Sequence, residues 1–230
     1  MQQLPLLMVH EPVRSFASFV TGDNAQALDA VRRLKPGSPP LYLWGPAGSG
    51  KSHLLHALAE EQLNEGATVG WFAADRPMPW LFDEGWQLLV LDGCDDFDAG
   101  MQQSAFALFV HATSCGVPVA ASGSVPPVDL PLRDDLRTRL GWGEIVALQP
   151  LSDAQARAAL VQEAHERGLE LSEELTTYLM THCARDLKSL MSLLDRMDRF
   201  ALERKRALTL PLLRAMLMQS DAGVVEELLR

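Results

Sequence analysis

A chain of 230 residues, 47% of them hydrophobic, fits one large domain or two small ones and can bury roughly 70–75% of its unfolded surface. Its 22% charged residues, with 16 Gly and 14 Pro, exclude a disordered or collagen-like chain, and no apolar run reaches the roughly 18–20 residues of a membrane span. Thirty acidic residues against 20 basic ones give a formal charge of −10, which favours nucleotide and protein partners over strong intrinsic DNA binding.

The first dozen residues are apolar and proline-punctuated, without the basic start or apolar length of a signal peptide, and read as a tail over 1–12. Asp23 opens a helical pattern, with Ala25, Leu28, Val31 and Leu34 at helical spacing to Lys35, which Pro36-Gly37-Ser38-Pro39-Pro40 breaks. Leu41–Trp44 is predicted as a short buried strand. A helix follows the glycine-rich stretch after it, with Leu54, Leu55, Leu58 and Leu63 inward, and stops at Gly66. Thr68–Ala73, Gln87–Leu91, Val117–Ala121 and Glu144–Leu148 supply four more strands, and Gln102–Cys115 a helix. Apolar strands alternating with helices predict an α/β domain over 13–150 with a parallel sheet covered on both faces. After Pro150 only helices are predicted, over 151–230. Ser152 caps one that ends at Gly168, Ser172 caps a second, and Arg185–Leu202 and Leu210–Met218 complete the set. Three cysteines, Cys94, Cys115 and Cys183, form no CxxC pair, which fits a reducing cytoplasm rather than a disulfide framework or zinc site.

Gly45-Pro46-Ala47-Gly48-Ser49-Gly50-Lys51-Ser52 fits GxxxxGK[ST] between an apolar strand and an amphipathic helix. Its glycines let backbone N–H groups surround phosphate oxygens, and the helix adds its positive end. Lys51 is expected on the β- and γ-phosphates and Ser52 on Mg²⁺, of an ADP or ATP molecule. In Leu88-Leu89-Val90-Leu91-Asp92 a buried strand ends in a carboxylate, the second candidate Mg²⁺ ligand. An acid that would polarise water often follows such an Asp. Here it is Gly93, so unaided turnover is expected to be slow.

These residues and several further stretches resemble the DnaA branch of the AAA+ P-loop family, and within it the Hda-type regulatory inactivators. Phe16-Ala17-Ser18-Phe19 with Gly22-Asp23-Asn24 is similar to the family's adenine-side opening, and Gly50-Lys51-Ser52-His53-Leu54-Leu55-His56-Ala57 to its P-loop helix. Ser122-Gly123-Ser124-Val125-Pro126-Pro127 stands where the sensor-1 turn falls, with Ser124 in place of an acid. Leu136-Arg137-Thr138-Arg139-Leu140-Gly141-Trp142-Gly143 resembles the arginine-finger segment, and Leu148-Gln149-Pro150-Leu151-Ser152-Asp153 the entry to a helical lid. The resemblance spans about Phe16 to Leu217.

It implies an AAA+ core followed by a small all-helical lid, with Arg139 as a finger reaching a neighbour's γ-phosphate in trans. Arg133 and Arg137 keep ordinary surface roles. Lys188 falls where the lid carries a sensor-2 arginine and keeps the charge without the fork. Gln3-Leu4-Pro5-Leu6-Leu7 resembles the short motif that docks on the DNA polymerase III sliding clamp (its β subunit). Gln3, Leu4, Leu6 and Leu7 are the contacts, and either Gln2 or Gln3 is the anchor. His53 and His56, three apart, are expected to pack rather than to bind metal, and Trp142 to pack near the finger segment. Residues 218–230 are too short and acidic for an initiator's DNA-binding domain. The expected function is regulation of replication initiation in the cytoplasm: holding adenine nucleotide, binding the clamp and stimulating ATP hydrolysis by DnaA, with homo-oligomers possible. The alternative is a DNA-directed AAA+ assembly factor of the helicase-loader type.

Overall fold

The computed structural model describes residues 14–182, 187–204 and 208–219. The chain falls into two compact units, one of residues 1–46 and 50–148, the other of residues 47–49 and 149–230. The first holds a parallel sheet of β1 (Leu41–Trp44), β2 (Val69–Phe72), β3 (Leu88–Leu91), β4 (Val119–Gly123) and β5 (Glu144–Ala147), ordered β2-β3-β4-β1-β5. Four helices accompany it: α1 (Ala25–Arg33) before β1, α2 (Lys51–Asn64) after it, α3 (Ala99–Ser114) between β3 and β4, and α4 (Asp134–Leu140) between β4 and β5.

Alternation along each strand splits the core in two. Leu41, Leu43, Leu88 and Val90 pack with Val31 of α1 and Leu54, Leu55 and Leu58 of α2. Tyr42, Leu89 and Leu91 face the other way, onto Leu108 and Phe109 of α3 and Leu136 and Leu140 of α4. Because both faces are covered, β1 and β3 are apolar along their length except for the Tyr42 hydroxyl, which donates to Val125 O. What remains polar gathers at the carboxyl ends of β1, β3 and β4, where parallel sheets place their ligands.

Four differences from the sequence reading have physical causes. Leu63 is 50% exposed rather than inward. At about 100° per residue it lies opposite Leu54, nine positions back. Helix α3 starts at Ala99, before Gln102, because the Asp98 carboxylate accepts from Met101 N at 2.8 Å and caps it. Strand β4 runs on through Ser122 and Gly123, two residues past Ala121. Helix α4 went unpredicted; its seven residues are too few for a periodic signal, and only Leu136 and Leu140 mark its buried face.

The second unit is helical, with no strand among its described residues: α5 (Asp153–Glu166), α6 (Glu173–His182), α7 (Leu187–Arg204) and α8 (Leu210–Gln219). Ser152 and Gln155 form a reciprocal capping box at the start of α5. Leu160, Leu175, Leu179, Leu193, Leu194 and Leu213 build the core. Arg167 ties α5 to α7 by pairing with Glu163 and Asp195. Burial works against that guanidinium's charge, yet its bonds to Asp195 and Glu163 raise its pKa further. No described helix is long and apolar enough to cross a membrane.

Candidate functional site

The segment Gly45–Ser52 leaves β1 and turns into α2. Gly45, Gly48 and Gly50 take positive φ angles of 153°, 76° and 100°, conformations that glycine adopts without steric cost. Gly50 is required twice over, since a Cβ there would stand 2.8 Å from Phe19 Cε2. Lys51 folds its ammonium back to donate to Gly45 O at 2.7 Å and Pro46 O at 2.9 Å. Burial lowers its pKa, opposed by the charges of Asp95 and Asp92. Ser49 Oγ is buried with no hydrogen-bond partner among the described residues. A desolvated cation beside a glycine-rich turn suits a phosphate ligand.

The ends of β3 and β4 and the first turn of α2 meet at Asp92. Its Oδ1 accepts from Ser52 Oγ at 3.0 Å and from Ser122 Oγ at 2.6 Å, and Ser122 Oγ in turn accepts from Gly93 N at 2.9 Å. The predicted pair of oxygen ligands, Ser52 and Asp92, is thus brought together. No group of three or more His, Cys, Asp or Glu able to hold a metal exists among the described residues. Two oxygens suit Mg²⁺ held jointly with nucleotide phosphates rather than in an all-protein cage.

Ser122, named above only within the stretch resembling a sensor-1 turn, is a further member of this cluster. Its signal was a hydroxyl closing an otherwise apolar strand, and it is fully buried. Gly93 has φ 69°, so a larger residue would be strained there as well as altering the chemistry. Asp95, the nearest other acid along the turn, is committed elsewhere: it accepts from Ser124 N and Ser124 Oγ, both at 2.7 Å. Beneath this turn burial pushes the Cys94 thiol far up, aided by Asp95 and Asp92, and it stays protonated.

The two histidines of α2 pack, as expected. His53 Nε2 lies 2.9 Å from Ser15 O, and its ring stands 5.5 Å from that of Phe19. His56 stacks on Trp71 at 4.1 Å.

The arginines around α4 have different surroundings. Arg133 pairs with Asp135 at 2.8 Å and Arg137 with Asp134. Arg139 has no acidic partner among the described residues; its guanidinium carbon lies 3.7 Å from the centroid of the Trp142 ring.

In fold, the chain is similar to domain III of the Thermotoga maritima replication initiation protein DnaA. The TM-score is 0.74 at 18% identity, over 90% of this chain and 96% of that one. AMPPCP-bound DnaA from Aquifex aeolicus gives 0.64 at 22% identity, over 91% and 72%. The Thermotoga maritima RuvB Holliday junction branch migration motor gives 0.58 at 16%, over 86% and 67%. Residues 153–217 match the family described as "Hda, lid domain". The chain thus combines a fold similar to that of DnaA domain III with a helical segment similar to the Hda lid.

Within the matched residues 153–217, the backbone of Lys188 stands in the first turn of α7; its side chain lies outside the described residues. The tail residues Gln3, Leu4, Leu6 and Leu7 lie outside them as well. Of the predicted site, the structure therefore assembles Gly45–Ser52 with Asp92, and places Arg139 apart from them on α4.

Proposed function

We propose that this chain regulates the initiation of DNA replication by completing the ATPase centre of DnaA in trans. Its loop 45–52, with Ser52 and Asp92, holds ADP or ATP with Mg²⁺, while Gln3, Leu4, Leu6 and Leu7 tether it to the sliding clamp. Arg139 then stabilises negative charge developing on the γ-phosphate of DnaA-bound ATP. The observation that carries this reading is the isolation of Arg139. Its neighbours Arg133 and Arg137 are neutralised by carboxylates, whereas Arg139 keeps its whole charge for an anion from outside.

The chain's own site supports a holding role. Gly93 takes the place of a base, and Asp95 is bound to Ser124. An adenine nucleotide analogue in a structural relative agrees with the choice of ligand.

The test combines the chain, DNA-loaded clamp and ATP-bound DnaA, and measures phosphate release. Wild type should accelerate hydrolysis. Arg139→Ala should abolish the acceleration, an effect on the order of 10³-fold where trans arginines act in GTPases. Equal stimulation by both would overturn the reading. Salt-sensitive binding of the isolated chain to single-stranded DNA, with ATP-dependent association with a helicase, would favour an assembly factor instead.

A further inference from the structure

Arg139 has to be held still and yet keep its charge. A carboxylate holds an arginine well, as Asp135 holds Arg133, but it cancels the charge that a phosphate would use. An aromatic face holds a guanidinium through its quadrupole and cancels nothing. Trp142 provides that face, 3.7 Å from the Arg139 carbon, while remaining 59% exposed.

The local backbone arranges this pairing. Leu136 and Leu140 bury one side of α4, and Arg139 stands one residue off that side. After Gly141 the chain turns back, with Trp142 N donating to Arg139 O at 3.1 Å, which brings the indole to the guanidinium. The 3₁₀ turn Pro127–Asp129 lies beside the same corner, for a Cβ on Gly141 would meet Pro127 Cβ at 3.9 Å. That turn presents Val128, 74% exposed, while Leu130, Leu132, Leu136 and Leu140 nearby in the chain are buried.

We propose that Trp142 is the positioning residue of Arg139, and that Trp142 and Val128 form an apolar shoulder that seats against a protein carrying a nucleoside triphosphate. The inference rests on the reading of Arg139 given above. Charge complementarity names the occupant: an unneutralised guanidinium beside two exposed apolar side chains matches a polyphosphate set in a protein rim. A planar donor fork suits phosphate oxygens, and an aromatic beside an arginine is the composition of an interface hot spot.

The experiment titrates full-length wild type, Trp142→Ala, Trp142→Phe, Val128→Asp and Arg139→Ala against ATP-bound DnaA on clamp-loaded DNA. It reads the maximal hydrolysis rate and the half-saturating concentration separately. Trp142→Ala should lower the maximum about five- to tenfold, and Trp142→Phe should restore much of it through its own ring face. Val128→Asp should raise the half-saturating concentration about tenfold and leave the maximum unchanged. Circular dichroism should be the same for all, because both residues are exposed.

If Arg139→Ala is inactive but Trp142→Ala keeps the wild-type maximum, the proposal fails while the reading of Arg139 stands. If Arg139→Ala is fully active, both fail. Equal impairment by Trp142→Ala and Trp142→Phe would also defeat it, since a ring face would then not be what holds the guanidinium. So would a Trp142→Ala variant that loses self-association but stimulates normally, for the face would then belong to a second copy of the chain.

Discussion

At Gly123, the last residue of β4, an added Cβ would overlap Tyr42 Oη and approach Asp95 Oδ2 to 3.2 Å. Tyr42 cannot simply move aside: it is buried, its hydroxyl donates to Val125 O at 3.0 Å, and burial raises its pKa so far that it stays protonated. Gly123→Ala should therefore destabilise the chain by about 1–3 kcal/mol, the usual range for overpacking. Urea denaturation measures it. Adding Tyr42→Phe removes the clashing oxygen, so the double variant should be more stable than the sum of the singles predicts. That positive coupling would identify steric overlap rather than backbone strain as the cause. Sequence alone could not have found this packing, since it depends on three residues far apart in the chain, Tyr42, Asp95 and Gly123. Asp92, by contrast, was legible because it ends an unbroken apolar run. Ser122, its partner on the adjacent strand, gave only a weak signal.

Helix α2 does more than follow the phosphate loop. His53, in its first turn, also fastens the segment that enters the fold, through Ser15 O at 2.9 Å, Ser18 Oγ at 3.4 Å and the ring of Phe19. Burial lowers the His53 pKa, opposed by the bond to Ser15 O and reinforced by Arg14. His56 shifts the same way, again mainly through burial. The folded chain thus keeps both rings neutral at a pH where the unfolded chain has begun to protonate them. Stability from this source is complete above the ordinary histidine range near pH 6.5 and declines as pH falls below it. Thermal melts from pH 7.5 to 5.5 should show a falling midpoint, and His53→Gln should flatten the slope without abolishing it, because His56 remains. An unchanged slope would mean that Ser15 does not hold a neutral ring. Elements with strong local signals, such as α2 and the five strands, were readable from the chain. The short α4 was not, because its stability comes from Leu136 and Leu140 docking on α3 and the sheet rather than from propensity.

The whole molecule can be tested for what its glycine-rich loop 45–52 holds without any partner. A ligand that binds only the folded chain stabilises it by mass action, by about 2.7 kcal/mol at a hundred times its dissociation constant. For a chain of this length that corresponds to roughly 5–11 °C in midpoint. ADP with Mg²⁺ should produce such a rise, followed through the five tryptophans. Lys51→Ala should remove most of it, since Lys51 is the loop's own cation, turned back on Gly45 and Pro46 until an anion competes for it. Ser52→Ala should weaken the Mg²⁺-dependent part, because it deletes one of the two candidate Mg²⁺ oxygens, those of Ser52 and Asp92. The same loss should not come from Arg139→Ala. Nucleotide retention and the proposed stimulation of a partner then separate into two measurements on one chain: a variant cold to ADP but intact at Arg139 asks whether the first is needed for the second. A midpoint indifferent to ADP at millimolar concentration would count against the loop as a nucleotide site.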